Sequence, residues 1–270
     1  MLFTNKENFM NIYNFRKDVH NLQYVAIHPN IMQGFKITLV LVLLLFPVFS
    51  TKAQEIPLNR YGLAVITDEN TYKASTQADS GKKMVELKRM IPNLEYELRY
   101  AGTDNFMKTR MYPSRTRNTF LRQKAVKALQ EVQNKLQPLG YGLKIWDAYR
   151  PYSVTERFWE MVKDERYVAN PAKGSGHNRG IAIDVTIIEL ATRKELDMGT
   201  GFDNFTEVAH HTYSQLDPQV IRNRKLLKQT MESCGFISFE SEWWHYSLPD
   251  PAKYELLDLS FASLKNLQSK

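Results

Sequence analysis

The chain has one cysteine in 270 residues, Cys234, which excludes an internal disulfide and any multi-cysteine zinc or iron–sulfur site. Its longest apolar run, residues 37–49, is 13 residues long and is interrupted by Pro47. A transmembrane helix needs about 20 residues, so the run is too short to span a bilayer. No internal repeat, low-complexity stretch or Lys/Arg cluster of the kind found in nucleic-acid binders stands out. Histidine is scarce too: six in all, of which His177, His210, His211 and His245 follow residue 53. What is present is an ordinary globular composition, 43% hydrophobic and 24% charged, long enough for one domain or two small ones.

The 37–49 run suits a different role. Lys36 precedes it, and Thr51-Lys52-Ala53 places small residues at the −3 and −1 positions of a cleavage site, as in a secretory signal peptide. Met32 is a more conventional start than Met1 for such a leader, and an uncleaved anchor is the alternative. Removing residues 1–53 discards five basic and two acidic residues and lowers the formal charge from +7 to +4 over 217 residues. The sequence thus predicts an exported protein of the periplasm or envelope, with no nucleic-acid partner and no membrane span after signal removal.

Residues 54–93 begin polar and turn-rich and read as an N-terminal extension; residues 94–270 read as the functional domain. A strand is expected over 94–100 and a helix over 118–136, where Phe120, Leu121, Val126, Leu129, Val132 and Leu136 fall near helical spacing. Another strand is expected over 142–149. Ser153-Val154-Thr155-Glu156 has the pattern of a capping box opening a helix. Residues 173–180 look like a loop and 181–188 like a buried strand. Asp217-Pro218 opens a helix that closes at Gly235, and residues 236–239 form a last strand. Helices and strands mix without regular alternation, so the expected class is α+β: one compact domain with an antiparallel sheet flanked by helices.

His177 ends the 173–180 loop and Asp184 lies on the strand that follows, with Gly180 between them to let the chain turn. Neutral imidazole and carboxylate are good zinc ligands, although the pair alone also suits a loop histidine and a capping aspartate. Glu242-Trp243-Trp244-His245 adds a second imidazole. In a tight or helical turn, Glu242 would lie beside whatever His245 binds. Two tryptophans form a dry wall of the kind that raises a carboxyl toward a general base's range. Two histidines, one aspartate and an open fourth position make a catalytic zinc site, with Glu242 moving a proton from metal-bound water to a leaving amine. Arg150, at a strand end before Pro151, is a candidate for stabilising an oxyanion, and a surface ion pair is its alternative. His210-His211 has no further framing ligand and reads as structural or surface; Cys234 reads as a small buried apolar residue.

Ser175-Gly-His177-Asn-Arg-Gly180-Ile-Ala182-Ile-Asp184 resembles the Ser-x-His-x-x-Gly-x-Ala-x-Asp signature of zinc D-Ala-D-Ala peptidases, and Glu242-Trp-Trp-His245 resembles the other half of that site. With Trp146-Asp-Ala-Tyr-Arg150-Pro151, the pattern is similar to the VanX-type D-alanyl-D-alanine dipeptidases from about Leu94 to Tyr254. The resemblance implies a fold related to D,D-peptidases and Hedgehog, with one Zn2+ per subunit held by His177, Asp184 and His245. It implies Glu242 as general base and then acid, and Arg150 beside the tetrahedral intermediate. By the same resemblance, Asp203 pairs the dipeptide's free amine with Tyr100 beside it, and Ser175 touches the substrate or orients the site. The expected reaction is hydrolysis of D-Ala-D-Ala to two D-alanines. Resistance-type members act in the cytoplasm, so an exported chain is expected to serve cell-wall peptide turnover instead. A D,D- or L,D-carboxypeptidase trimming peptidoglycan stem peptides, and a non-catalytic zinc-binding module, are the competing readings.

Overall fold

Residues 181–188 are apolar at almost every position, as in a strand buried on both faces, and they run through the middle of the main sheet. The computed structural model describes residues 56–268; the leader expected over 1–53, with its 37–49 run, lies outside the described residues. In chain order the strands are β1 (Val65–Ile66), β2 (Met84–Glu86), β3 (Glu95–Tyr96), β4 (Phe120–Arg122), β5 (Tyr141–Asp147), β6 (Ala182–Glu189), β7 (Ile237–Phe239), β8 (Glu242–Ser247) and β9 (Leu256–Leu257). The α-helices are α1 (Glu69–Gln77), α2 (Leu87–Met90), α3 (Gln123–Leu136), α4 (Tyr152–Val162), α5 (Gly176–Arg179), α6 (Pro218–Ser233) and α7 (Phe261–Leu267).

The five-stranded sheet has the order β3-β5-β6-β8-β7. It is antiparallel throughout except for β3 and β5, which run parallel. Two short pairs, β1 with β9 and β2 with β4, complete an α+β architecture and tie residues 65–86 to the later chain. Along β6, Ile183, Val185 and Ile187 alternate with Asp184 and Thr186. The apolar set joins Val126, Leu129 and Val132 of α3 and Leu227 and Met231 of α6 in one buried cluster. Leu87, Ile91 and Leu94 belong to the same cluster. Alternation thereby delivers the Asp184 carboxylate to the other face. No helix among the described residues is long and apolar enough to cross a membrane.

Several local expectations are corrected. Phe120 and Leu121 are in β4 rather than in the helix, which starts only at Gln123. The 94–100 stretch keeps just Glu95 and Tyr96 as strand before a 3-10 turn at Arg99. The capping box at Ser153 does not form: α4 begins at Tyr152, and Ser153 gives its N–H and hydroxyl to Asp258 Oδ1 at 2.9 and 2.7 Å. The 173–180 loop contains α5, a single helical turn. Asp217 does cap α6, accepting from the Gln219 N–H with Pro218 in first place. Cys234 ends that helix half-buried rather than buried.

A candidate metal centre and its cleft

Three elements bring the donors together. Asp184 on β6 and His245 on β8 are register partners, and Asp147 on β5 is the partner of Asp184 on its other side. His177 comes from α5, which Ser175 caps: its hydroxyl accepts from the Asn178 N–H while the Asn178 side chain accepts from the Ser175 N–H. Gly180 ends the turn at φ +68, where a Cβ would lie 2.6 Å from Met84 Sδ. At that φ any L side chain is strained, so glycine lets the one-turn helix close onto β6 at the least cost.

His177 Nδ1 donates to the Ala148 carbonyl at 2.6 Å, which leaves Nε2 as the inward-facing lone pair. His245 turns Nδ1 inward, 3.3 Å from His177 Nε2 and 2.9 Å from Asp184 Oδ1. Asp184 Oδ2 lies 3.5 Å from His177 Nε2. Zinc–ligand bonds of about 2.0–2.1 Å at tetrahedral angles put neighbouring donors about 3.3 Å apart, close to these separations. Two imidazole nitrogens and a carboxylate oxygen thus converge within 4.8 Å of one another, as the ligands of a single cation would. The donor set fits zinc. Burial pushes the Asp184 carboxyl up, but the His177 and His245 rings hold it well below the usual carboxylate range.

Glu242 stands beside this triad, its Oε2 3.8 Å from His245 Nδ1. The turn expected there is a strand, and regular alternation would send residues three apart to opposite faces. Glu242 escapes that rule because it opens β8 at the hairpin tip, where the register shifts between Ser238 and Phe239. Trp243 and Trp244 are both buried, as the dry-wall argument requires. Burial pushes the Glu242 carboxyl up to about 7, against the opposing pull of His245. Arg150 gives Nη2 and Nε to Asp147 Oδ2 at 2.8 and 3.2 Å and stacks over Phe158 and Tyr100. Burial lowers the guanidinium pKa, but Asp147, Tyr112, Tyr100 and Asp184 together raise it further, so Arg150 stays cationic.

A cavity of about 210 Å³ joins these groups. Its lining includes Asp203 and Tyr100, whose hydroxyl donates to Asp203 Oδ1 at 3.0 Å. Asp203 is in the left-handed region at φ 58. Burial, then the charge of Asp184, pushes its carboxyl up to about 7. Phe106, Phe158 and Phe205 line the walls near it, and Phe239 closes over His245 with rings 5.6 Å apart. All eight residues singled out from the sequence line this one cavity. His210 and His211 do not; burial takes the His211 imidazole down to about 4.

Sequence reasoning missed Asp147, Tyr112 and Asn178. Asp147 accepts from the Tyr112 hydroxyl at 2.6 Å as well as from Arg150, and its place three residues before Arg150 was the available signal. Asn178 donates to the Arg150 carbonyl at 2.9 Å and to Thr155 Oγ1 at 2.8 Å, tying the histidine turn to the arginine. Nothing in the local sequence announces that link.

A buried two-histidine, one-aspartate donor set with a carboxyl beside it, open to a cleft, defines a metallopeptidase. A family model described as D-Ala-D-Ala dipeptidase matches residues 80–264, and the chain belongs to that peptidase family. It is 38% identical over 180 residues to the D-alanyl-D-alanine dipeptidase of Escherichia coli (strain K12), covering 67% of this chain and 92% of that protein. The D-alanyl-D-alanine dipeptidase of Enterococcus faecalis is 36% identical over 183 residues, 61% of this chain and 90% of that protein. A solved structure of VanYB in complex with D-alanine-D-alanine aligns at 15% identity and a TM-score of 0.33, covering 51% of this chain and 76% of that one.

Proposed function

We propose that the chain hydrolyses the free dipeptide D-Ala-D-Ala to two D-alanines. The observation that carries this reading is the hydrogen-bonded Asp203–Tyr100 pair in the lining of the same cavity as the histidine and aspartate donors. A buried ammonium needs an anionic partner, and a substrate with a blocked amine has no use for one. His177 Nε2, Asp184 and His245 Nδ1 would hold zinc. Zinc bound there supplies Lewis-acid chemistry, polarising a carbonyl and acidifying water.

The chain's own groups do the rest. Asp203 takes the ammonium and loses its proton as that charge arrives, while the Tyr100 hydroxyl fixes which way the carboxylate faces. Arg150, cationic and held by Asp147, meets the negative charge that develops on the scissile carbonyl oxygen. Glu242 accepts the proton of the attacking water and returns it to the departing amine. Trp244 and the phenyl rings exclude bulk water and so strengthen each of these interactions.

The test is hydrolysis of D-Ala-D-Ala against N-acetyl-D-Ala-D-Ala by metal-loaded protein, with Glu242→Ala alongside. Cleavage of the free dipeptide alone, lost in the variant, is expected. Equal cleavage of the blocked compound makes the protein a carboxypeptidase, and cleavage of neither makes it a binding module. We further propose that the protein is exported and acts on dipeptide released by cell-wall turnover in the periplasm or envelope. The 37–49 run and the residues that flank it support this, and N-terminal sequencing of the mature chain from the producing cell tests it.

A further inference from the structure

Arg224 on α6 is 5% exposed, and both hydrogen bonds it gives go to backbone carbonyls. Its Nε reaches Met198 O at 2.7 Å and its Nη1 reaches His210 O at 3.2 Å. A buried guanidinium bonded to carbonyls alone, with Nη2 left without a partner, carries a desolvation cost that an apolar residue of similar size would avoid. Its two acceptors lie in different segments, and each segment leads to a group of the cleft. Met198 begins the 198–203 segment, which ends in Asp203. Gly199 brings that segment onto α6, where a Cβ would lie 2.9 Å from Val220 Cγ1 and 3.5 Å from Arg224 Nη2.

His210 precedes the two residues that grip the hairpin tip. The His211 N–H donates to Glu240 O at 2.9 Å and the Thr212 N–H to Glu240 Oε1 at 3.0 Å, two residues before Glu242. A second, separate link joins the same two regions. Trp243, next to Glu242 in sequence, donates its indole N–H to Thr200 Oγ1 at 2.7 Å, and Arg224 stands over the Trp243 ring at 5.8 Å.

We propose that Arg224 is a positioning residue which, with the Trp243–Thr200 bond, couples amine recognition at Asp203 to the placement of Glu242. Neither Arg224 nor Thr200 is assigned to the reaction in the reading above, on which this inference rests. The brace makes the acid that receives the ammonium and the base that moves the proton parts of one rigid unit. The metal ligands His177, Asp184 and His245 take no hydrogen bond from Arg224, so loss of the brace leaves the metal in place.

The experiment measures kcat and KM for D-Ala-D-Ala, together with zinc content and affinity, in wild type, Arg224→Met, Arg224→Lys and Thr200→Val. Charge-assisted bonds of this kind contribute enough for a loss of about tenfold or more in kcat/KM. Arg224→Met is expected to lower kcat and raise KM together, with zinc affinity unchanged. Lysine, which reaches one carbonyl at a time, recovers part of the loss. Thr200→Val moves both constants the same way by less, and its effect combines less than multiplicatively with that of Asp203→Asn. A folded Arg224→Met protein with both constants within about twofold of wild type overturns the proposal, as does a loss that follows reduced zinc affinity. Should Arg224→Met fail to fold, unchanged constants in Thr200→Val overturn it instead. Active wild type with unaffected variants refutes only the brace, whereas inactive wild type refutes the proposed function and the brace together.

Discussion

Tyr100 and Asp203 are 103 residues apart in the chain, yet the phenol donates to the carboxyl at 3.0 Å inside the cleft. Burial and the Asp203 charge hold the Tyr100 phenol well above its usual pKa, so it stays a donor. In the proposed reaction the pair is the seat of the substrate's ammonium, and its cost and its use are separately measurable.

Asp203→Asn is expected to raise KM for the dipeptide more than it lowers kcat, because it removes ground-state binding of the amine. It is also expected to stabilise the ligand-free fold at alkaline pH. The Asp203 pKa is raised in the fold to about 7 from an ordinary 3.8. The folded state therefore binds more protons between those values, and stability is lost as pH rises through about 7. At pH 8 the variant should exceed wild type by about 3 kcal/mol, allowing for solvent at the carboxyl, and by nothing at pH 3. Thermal melts of both proteins across that range check the sign.

Glu242→Gln keeps the shape and removes the proposed base. The expected loss in kcat is about 10²–10⁴-fold with zinc binding retained. Calorimetric zinc titration beside steady-state kinetics separates this from a ligand's role, which would lower metal affinity as well.

Removing metal with a chelator should abolish hydrolysis, and added zinc should restore it. Because the donors converge only in the fold, zinc at a thousandfold excess over its Kd is expected to stabilise by about 4 kcal/mol. His177→Ala should erase that increment in a melting experiment, on top of a lower metal-free melting point because the buried Ala148 carbonyl loses its donor.

Gly180→Ala tests the turn that delivers His177. A Cβ there meets Met84 Sδ at 2.6 Å and Cε at 2.7 Å, at a φ of +68 that disfavours any L side chain. The expected destabilisation is about 2–3 kcal/mol, read from urea unfolding.

The convergence of His177, Asp184 and His245 was legible because they sit in short motifs whose residue types suit a shared metal. The buried strand around Asp184 was legible from its nearly continuous apolar run. Glu242 was placed beside His245 for the wrong local reason: the sequence suggested a helical or tight turn, and the structure supplies a hairpin tip with a register shift. The Ser153 box was lost to a tertiary partner, Asp258, that lies 105 residues away. Asp147 lay inside a motif already singled out, but its meaning depends on Tyr112, and the aromatic walls depend on Phe106, Phe158 and Phe205 from three separate segments. Periodicity sees neighbours along the chain; these roles come from neighbours across it.

Asp184 and His245 face each other as paired residues on adjacent strands. A slip of one position between β6 and β8 would carry one of them to the opposite side of the sheet. On the proposed zinc site, uptake would double as an inspection of strand alignment: only correctly zipped molecules would load the ion, so the loaded fraction of a refolding mixture would count the molecules that assembled properly.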